Sequence, residues 1–337
     1  MGYRIGSFNL HNLGFSAIDK KENKRNLRKI AEIIKEEKFD VVALQEILSE
    51  GKAFVYEKET VKKNIIWELG GEREWGFEWA DASSKTADTR GEGYAFLWNK
   101  RRLRLTTTVL DDGRIREFKP QMLKNVKCKT MRRYPYYARF TPQGTLGGTN
   151  FEIRLICIHT HYGDDTPNDR KTRQNELDIV IKEIYPQISD KIYKNDMPHY
   201  TIILGDYNVE LRRIRPHRYV QEALKGKSIR QEPACLIADD NDEIEVAKWG
   251  KCQKVKTVQD RLTTLKKTIN PDNSIVFNGN GYSCNYDHFS FEAAQFEGVD
   301  WSATRIDAVK KYYNDDFEKY FYEISDHVPI MMEINLK

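Results

Sequence analysis

Six oxygen-bearing side chains stand out for where they fall. Asn9, Glu46, Asp206, Asn208, Asp287 and Asp326 each lie at or beside the end of a segment that reads as a β-strand. Such a set suits a hard divalent cation such as Mg2+, which takes one or two carboxylates and leaves its other positions to water and phosphate. Cutting a phosphodiester needs that inventory: a hard cation, a positioned water and help for the leaving oxygen. Each piece alone has a plainer reading. Gly205-Asp206-Tyr207-Asn208 reads equally as a turn, because Gly, Asp and Asn dominate turns for conformational reasons. Gln45-Glu46 reads equally as an exposed strand terminus. Their recurrence in order along one chain carries the inference.

The elements that must position these residues follow from periodicity. Arg4 to Leu10 alternates like a strand, and residues 24–37 place Leu27, Ile30, Ala31, Ile33 and Ile34 at helical spacing among Lys, Arg and Glu. Asp40 to Glu46 is a short apolar run ending in Gln45 and Glu46. The design repeats in Tyr94–Trp98, entered from Gly91-Glu92-Gly93, in Ile153–Ile158 running into His159, and in Tyr200–Leu204 running into Gly205. A polar, amphipathic segment near 169–191 predicts a helix, and two late strands fall near 287–291 and 328–336. Many strands with few helices predict two packed sheets flanked by helices. Residues 209–281 differ. A basic cluster (Arg212, Arg213, Arg215, His217, Arg218) precedes an acidic one (Asp239, Asp240, Asp242, Glu243, Glu245), which reads either as a substrate-contacting insertion or as a solvated excursion.

Composition sets outer bounds. The 337 residues are 39% hydrophobic, enough for a sizeable core, and 31% charged, which argues for a hydrated surface. No apolar run is long enough to span a membrane, and the N-terminus lacks an apolar signal region, so the expected compartment is the cytoplasm. Five scattered cysteines (Cys128, Cys157, Cys235, Cys252 and Cys284) suggest neither a disulfide framework nor a zinc site. A net charge of +4, from 55 basic and 51 acidic residues, neither demands nor excludes nucleic acid, since a local patch decides.

The ordered segments Ser7-Phe8-Asn9-Leu10, Leu44-Gln45-Glu46, Gly91-Glu92-Gly93-Tyr94, Ile158-His159-Thr160-His161, Gly205-Asp206-Tyr207-Asn208, Tyr286-Asp287-His288 and Ser325-Asp326-His327 together resemble the motifs of the deoxyribonuclease I-like endonuclease/exonuclease/phosphatase superfamily. The resemblance runs from residue 3 to about 334 and implies one domain over 1–337, with an insertion at about 209–281. The implied fold is a four-layered α/β/β/α sandwich with two packed, mostly antiparallel sheets. The implied activity is that of a Mg2+-dependent (or Mn2+-dependent) phosphodiesterase, with DNA as the expected substrate. The competing readings are a phosphatase or phosphodiesterase acting on a phosphorylated small molecule or lipid, and a non-catalytic nucleic-acid-binding module on the same scaffold. The oligomeric state is left open.

Carried over residue by residue, the resemblance makes Asn9, Glu46 and Asp326 the metal or metal-water ligands. It makes Asp206 and Asn208 the pair that orients the attacking water and a phosphate oxygen. His327 with Asp287, and His159 with Glu92, resemble two histidine–carboxylate dyads. A carboxylate beside an imidazole fixes its tautomer and favours its charged form. His161 shares a strand face with His159 and is the fallback for it; the first histidine of His-Thr-His-Tyr-Gly is preferred because it stands three residues before the tyrosine. Arg133 resembles a family arginine that grips phosphate. Tyr94 reads as core or wall, and His11 departs from the arginine found at that place in deoxyribonuclease I.

Overall fold

In the computed structural model, the residues described are 2–14, 25–48, 54–82, 91–124, 130–144, 151–163, 166–193, 197–209, 231–234, 246–248, 251–253, 262–269 and 275–335. The strands that build the body are, in chain order, β1 (Gly2–Leu13), β2 (Val41–Leu48), β3 (Trp75–Asp81), β4 (Glu92–Asn99), β5 (Leu103–Leu105), β6 (Tyr136–Pro142), β7 (Glu152–His159), β8 (His199–Asp206), β9 (Gln231–Ala234), β10 (Leu265–Ile269), β11 (Ile275–Tyr282), β12 (Asp287–Glu292), β13 (Asp300–Arg305) and β14 (Ile330–Asn335). One sheet runs β13-β14-β1-β2-β4-β3 and the other β9-β12-β8-β7-β6-β5. Within these two sheets β1–β2 and β7–β8 pair parallel and the remaining pairs antiparallel. β10 and β11 form a separate hairpin.

Alternation along the strands sorts the core into three layers. Tyr3 and Ile5 of β1, Val41 and Ala43 of β2, and Phe96 and Trp98 of β4 meet Ile153 and Leu155 of β7, Ile202 and Leu204 of β8, and Phe289 and Phe291 of β12 between the sheets. The opposite parity of the first sheet, including Phe8, Val42 and Leu44, packs on the helices α1 (Leu27–Glu36), α2 (Phe54–Leu69), α4 (Ala308–Tyr313) and α5 (Phe317–Glu323). Ile156, Ile158 and Ile203 of the second sheet face α3 (Pro167–Ile179) and its continuation to Ser189. Burying each such side chain contributes about 1.5–3 kcal/mol. The result is the expected α/β/β/α layering.

The helices start where local chemistry says they should. Asn26 caps α1, its side chain accepting the Lys29 N–H at 3.1 Å, and Leu27, Ile30, Ala31, Ile33 and Ile34 form the buried stripe. Thr166 and Asp169 form a reciprocal capping box for α3, with Pro167 in its first turn. The helix read from 24–37 therefore begins at Leu27, because Asn26 supplies the cap. Within 209–281, β9 adds an edge strand to the second sheet and β10–β11 form the hairpin. The basic and acidic clusters singled out there lie outside the described residues.

Candidate active site

The inward parity of each central strand ends in a polar residue, and all of these ends fall at one edge of the sandwich. In β1 the series Tyr3, Ile5, Ser7 ends in Asn9; in β4, read backwards, Trp98, Phe96, Tyr94 ends in Glu92. In β7, Ile153, Leu155, Cys157 ends in His159; in β8, Ile202, Leu204 ends in Asp206; in β12, Phe291, Phe289 ends in Asp287. The parallel β7–β8 register sets His159 beside Asp206, and the antiparallel β8–β12 register sets Asp206 opposite Asp287. Apolar residues fill the space between the sheets until it opens, and there chemistry replaces packing.

Glu46 breaks the parity. Val41, Ala43 and Gln45 face inward, and Gln45 stays in the core, hydrogen-bonded to Ser7 and Cys157. Glu46 reaches the cleft because its backbone is left-handed (φ 56°) and the β2–β4 register shifts between Leu44 and Ile47. His11, Asn12 and Asn208 are also left-handed, at φ 43°, 60° and 49°. Such a backbone costs a non-glycine residue on the order of 1–3 kcal/mol and concentrates at functional sites. Here it aims donors: Asn12 N–H donates to Glu46 Oε2 at 3.1 Å, and His11 N–H to Asn9 Oδ1 at 2.9 Å. Gly205 is required for closeness, since its φ is 139° and a Cβ there would collide with the Ile158 carbonyl of the neighbouring strand.

Asn9 Nδ2 links the centre, donating to Glu46 Oε1 at 2.9 Å and Asp206 Oδ2 at 3.1 Å. To offer its oxygen to an ion, Asn9 must turn its amide over and release His11 N–H. His159 Nε2 stands 3.8 Å from Glu46 and 3.7 Å from Asp206 Oδ2, and its Nδ1 is 3.4 Å from Glu92. His327 Nε2 lies 3.7 Å from the same Asp206 oxygen, with Nδ1 2.7 Å from Asp287 Oδ2. Both imidazoles thus face Asp206 and have a carboxylate behind them. His161 points away: its Nε2 bonds Asp169 at 2.8 Å and its N–H donates to Glu176 of α3 at 2.6 Å. Tyr94 is a wall residue with one task, its hydroxyl accepting the His159 N–H at 2.9 Å.

Electrostatics follow this pairing. Burial disfavours charge on His327, but Asp287 and then Asp326 outweigh it and carry its pKa up to about 10. Burial and Arg133 likewise oppose charge on His159, and the hydrogen bond and charge of Glu92, with Asp206, raise it nonetheless. Burial raises the Asp206 carboxyl against the pull of both histidines. Asp326 is held well below the usual carboxylate range: burial is overcome by His11, Lys267 and His327.

Three expected residues sit differently from their anticipated tasks. Arg133, expected at phosphate, is buried, forms an ion pair with Glu92 and donates from Nη1 to Thr160 O at 3.2 Å. The Asn208 side chain donates to Thr160 O at 3.0 Å while its N–H caps Asp206 Oδ1 at 2.8 Å, so it fixes Asp206. Asp326 is near the centre, 3.9 Å from His327 Nε2, but it pairs with His11 Nδ1 at 2.8 Å and with Lys267. Lys267 went unread in the sequence. A single lysine among 55 basic residues has no spacing to mark it.

Solved structures share this architecture. An endonuclease/exonuclease/phosphatase from Bacteroides vulgatus superposes with a TM-score of 0.53 at 11% identity, covering 100% of each chain. TDP2 from D. rerio, complexed with single strand DNA product, gives 0.54 at 16% identity over 99% of each chain. TDP2 from C. elegans gives 0.51 at 13% identity, covering 100% of this chain and 76% of its own. No family model matches the chain, and no curated protein matches it in sequence. At these identities the likeness establishes the fold alone, a deoxyribonuclease I-like α/β/β/α sandwich. Among the described residues, no helix is long and apolar enough to cross a membrane.

Proposed function

We propose that this chain is a metal-dependent phosphodiesterase that hydrolyses DNA. One observation carries the reading. Glu92, Asp287 and Asp326 each hold a dedicated cationic partner in Arg133, His327 and Lys267. Glu46 and Asp206 touch no Lys or Arg among the described residues, and their oxygens lie within 4.8 Å of each other and of His159. Two converging carboxylates with only amide donors and more distant imidazoles beside them are a fit donor set for Mg2+ or Mn2+. Glu46 would hold the ion, with Asp206 across from it and Asn9 after its amide turns. A bound divalent ion supplies positive charge to the phosphoryl and leaving oxygens and lowers the pKa of a ligated water.

The protein's own groups do the rest. Asp206, buried and fixed by the Asn208 N–H, receives the proton of the attacking water. His159 and His327, kept protonated by Glu92 and Asp287, donate to phosphate oxygens from two sides, and one of them protonates the leaving oxygen. Arg133 maintains Glu92 and through it His159. DNA as substrate is supported by the single strand DNA product held on the same fold by TDP2 from D. rerio. The test incubates pure protein with supercoiled plasmid, single-stranded DNA, RNA and a phosphoinositide, with Mg2+ and with EDTA. Cleavage of DNA that EDTA abolishes is the expected result. Undiminished activity in EDTA overturns the metal assignment, and turnover of the phosphoinositide alone overturns the substrate.

A further inference from the structure

His327 and Asp287 meet across the gap between the two sheets. Asp287 opens β12 of the second sheet, and His327 stands just before β14 of the first. Apolar packing between the sheets is non-directional, so it does not by itself fix one strand end against the other as closely as a 2.7 Å contact requires. Thr263, outside every motif segment and fully buried, touches both sides. It lies where the chain enters β10. Its hydroxyl oxygen accepts the N–H groups of Tyr286 at 3.1 Å and Asp287 at 3.3 Å, and its own N–H donates to Cys284 O at 2.7 Å. Its carbonyl accepts the Val328 N–H at 2.8 Å. The next two residues reinforce the second tie: Thr264 and His327 form an isolated bridge, and Leu265 N–H donates to Asp326 O at 2.8 Å.

The bonds to Cys284 and Val328 run through the main chain of residue 263 and do not depend on its side chain. Those from Tyr286 and Asp287 need the hydroxyl. Among the described residues, β9 pairs with β12 only at Phe289–Glu292, so at Asp287 the outer edge of that strand is met by Thr263 instead. Without the hydroxyl two N–H groups beside the site lose their acceptor, a costly state for a buried donor that a shift of the segment relieves. We propose that Thr263 is a positioning residue of the reaction: its hydroxyl holds the main chain of Asp287 so that the carboxylate meets His327, whose own segment is tied to the Thr263 carbonyl. Buried as it is, Thr263 touches no substrate, so its loss acts on turnover and not on substrate binding. Misplacing a reacting group by about 1 Å costs on the order of 10²-fold in rate.

The proposal rests on the phosphodiesterase reading above, and one set of assays separates the two. kcat and KM for DNA cleavage with Mg2+ are measured for the full-length wild type, Thr263→Val, Thr263→Ser, Asp287→Asn and the double variant Thr263→Val with Asp287→Asn. Circular dichroism checks that each is folded. Thr263→Val should lower kcat by about 10- to 10²-fold with KM little changed, and Thr263→Ser, which keeps the hydroxyl, should restore most of that loss. The double variant should be no slower than the slower single one, because both changes act through one contact. A wild type that cleaves no DNA overturns the reading of function. Wild-type kcat in Thr263→Val, a loss confined to KM, equal losses in the Val and Ser variants, or losses that multiply in the double variant overturn the role given to Thr263 and leave that reading standing. If Thr263→Val does not fold, Thr263→Ala is read in its place, and failure of both to fold assigns the hydroxyl to stability and also overturns the proposal.

Discussion

Replacing Asp287 by Asn removes a charge and leaves the shape. In the protein, Asp287 Oδ2 lies 2.7 Å from His327 Nδ1, and both groups are buried. Burial is the largest influence on His327 and pushes its pKa down; four influences push it up, to about 10, and two of these are the charge and the hydrogen bond of Asp287. With both gone and burial remaining, the pKa falls, and a return to the ordinary imidazole value of about 6.5 sets the scale of the effect. At pH 8 only about 3% of such a histidine is protonated, so a step needing His327 as donor slows about 30-fold. At pH 6 about three quarters is protonated, and the loss shrinks to less than about twofold. The assay is Mg2+-dependent plasmid nicking by wild type and Asp287→Asn from pH 6 to 9, with circular dichroism confirming that the variant is folded. A defect that closes as pH falls is the signature of a proton donor. An equal defect at pH 6 and pH 8, or none at pH 8, refutes the reasoning.

Two further outcomes follow from the same geometry. His159→Ala should slow turnover by about 10²–10⁴-fold, the contribution typical of a positioned proton donor, whereas His161→Ala, which loses a contact to Asp169, should cost less than about tenfold; single-turnover rates of the two variants decide, and equal losses would contradict the different directions in which these rings point. The Asp287–His327 pair should also show in stability: because the folded pKa of His327 is raised, its contribution is fully present below about pH 6.5 and is lost as pH rises through about 10, with a slope of up to about 1.4 kcal/mol per pH unit. Thermal melts of wild type and Asp287→Asn should therefore converge between pH 6.5 and 10, and a gap constant over that range would exclude the linkage.

Much of this arrangement was legible in the sequence, for a physical reason. A strand alternates with a strict period of two, so a run such as Ile153, Leu155, Cys157 announces an inward face, and the polar residue that ends it must emerge where the core opens. That rule places Asn9, His159, Asp206 and Asp287 without coordinates, and the order of the segments supplied the fold. What depends on two chain segments meeting was not legible. His159 and His161 have the same parity, and the choice between them rests on β7 ending at His159 and on α3 drawing His161 outward through Asp169 and Glu176. Glu46 reaches the cleft through a left-handed backbone against the parity of its strand, which alternation alone does not foresee. Arg133 lies against Glu92, 41 positions apart in the chain, and Lys267 against Asp326, 59 apart. Local periodicity is short-ranged and says which side chains point inward; which cation each carboxylate meets is set by the packing of one sheet on the other and, for Asp326, by the hydrogen bonds that tie the start of β10 to its segment.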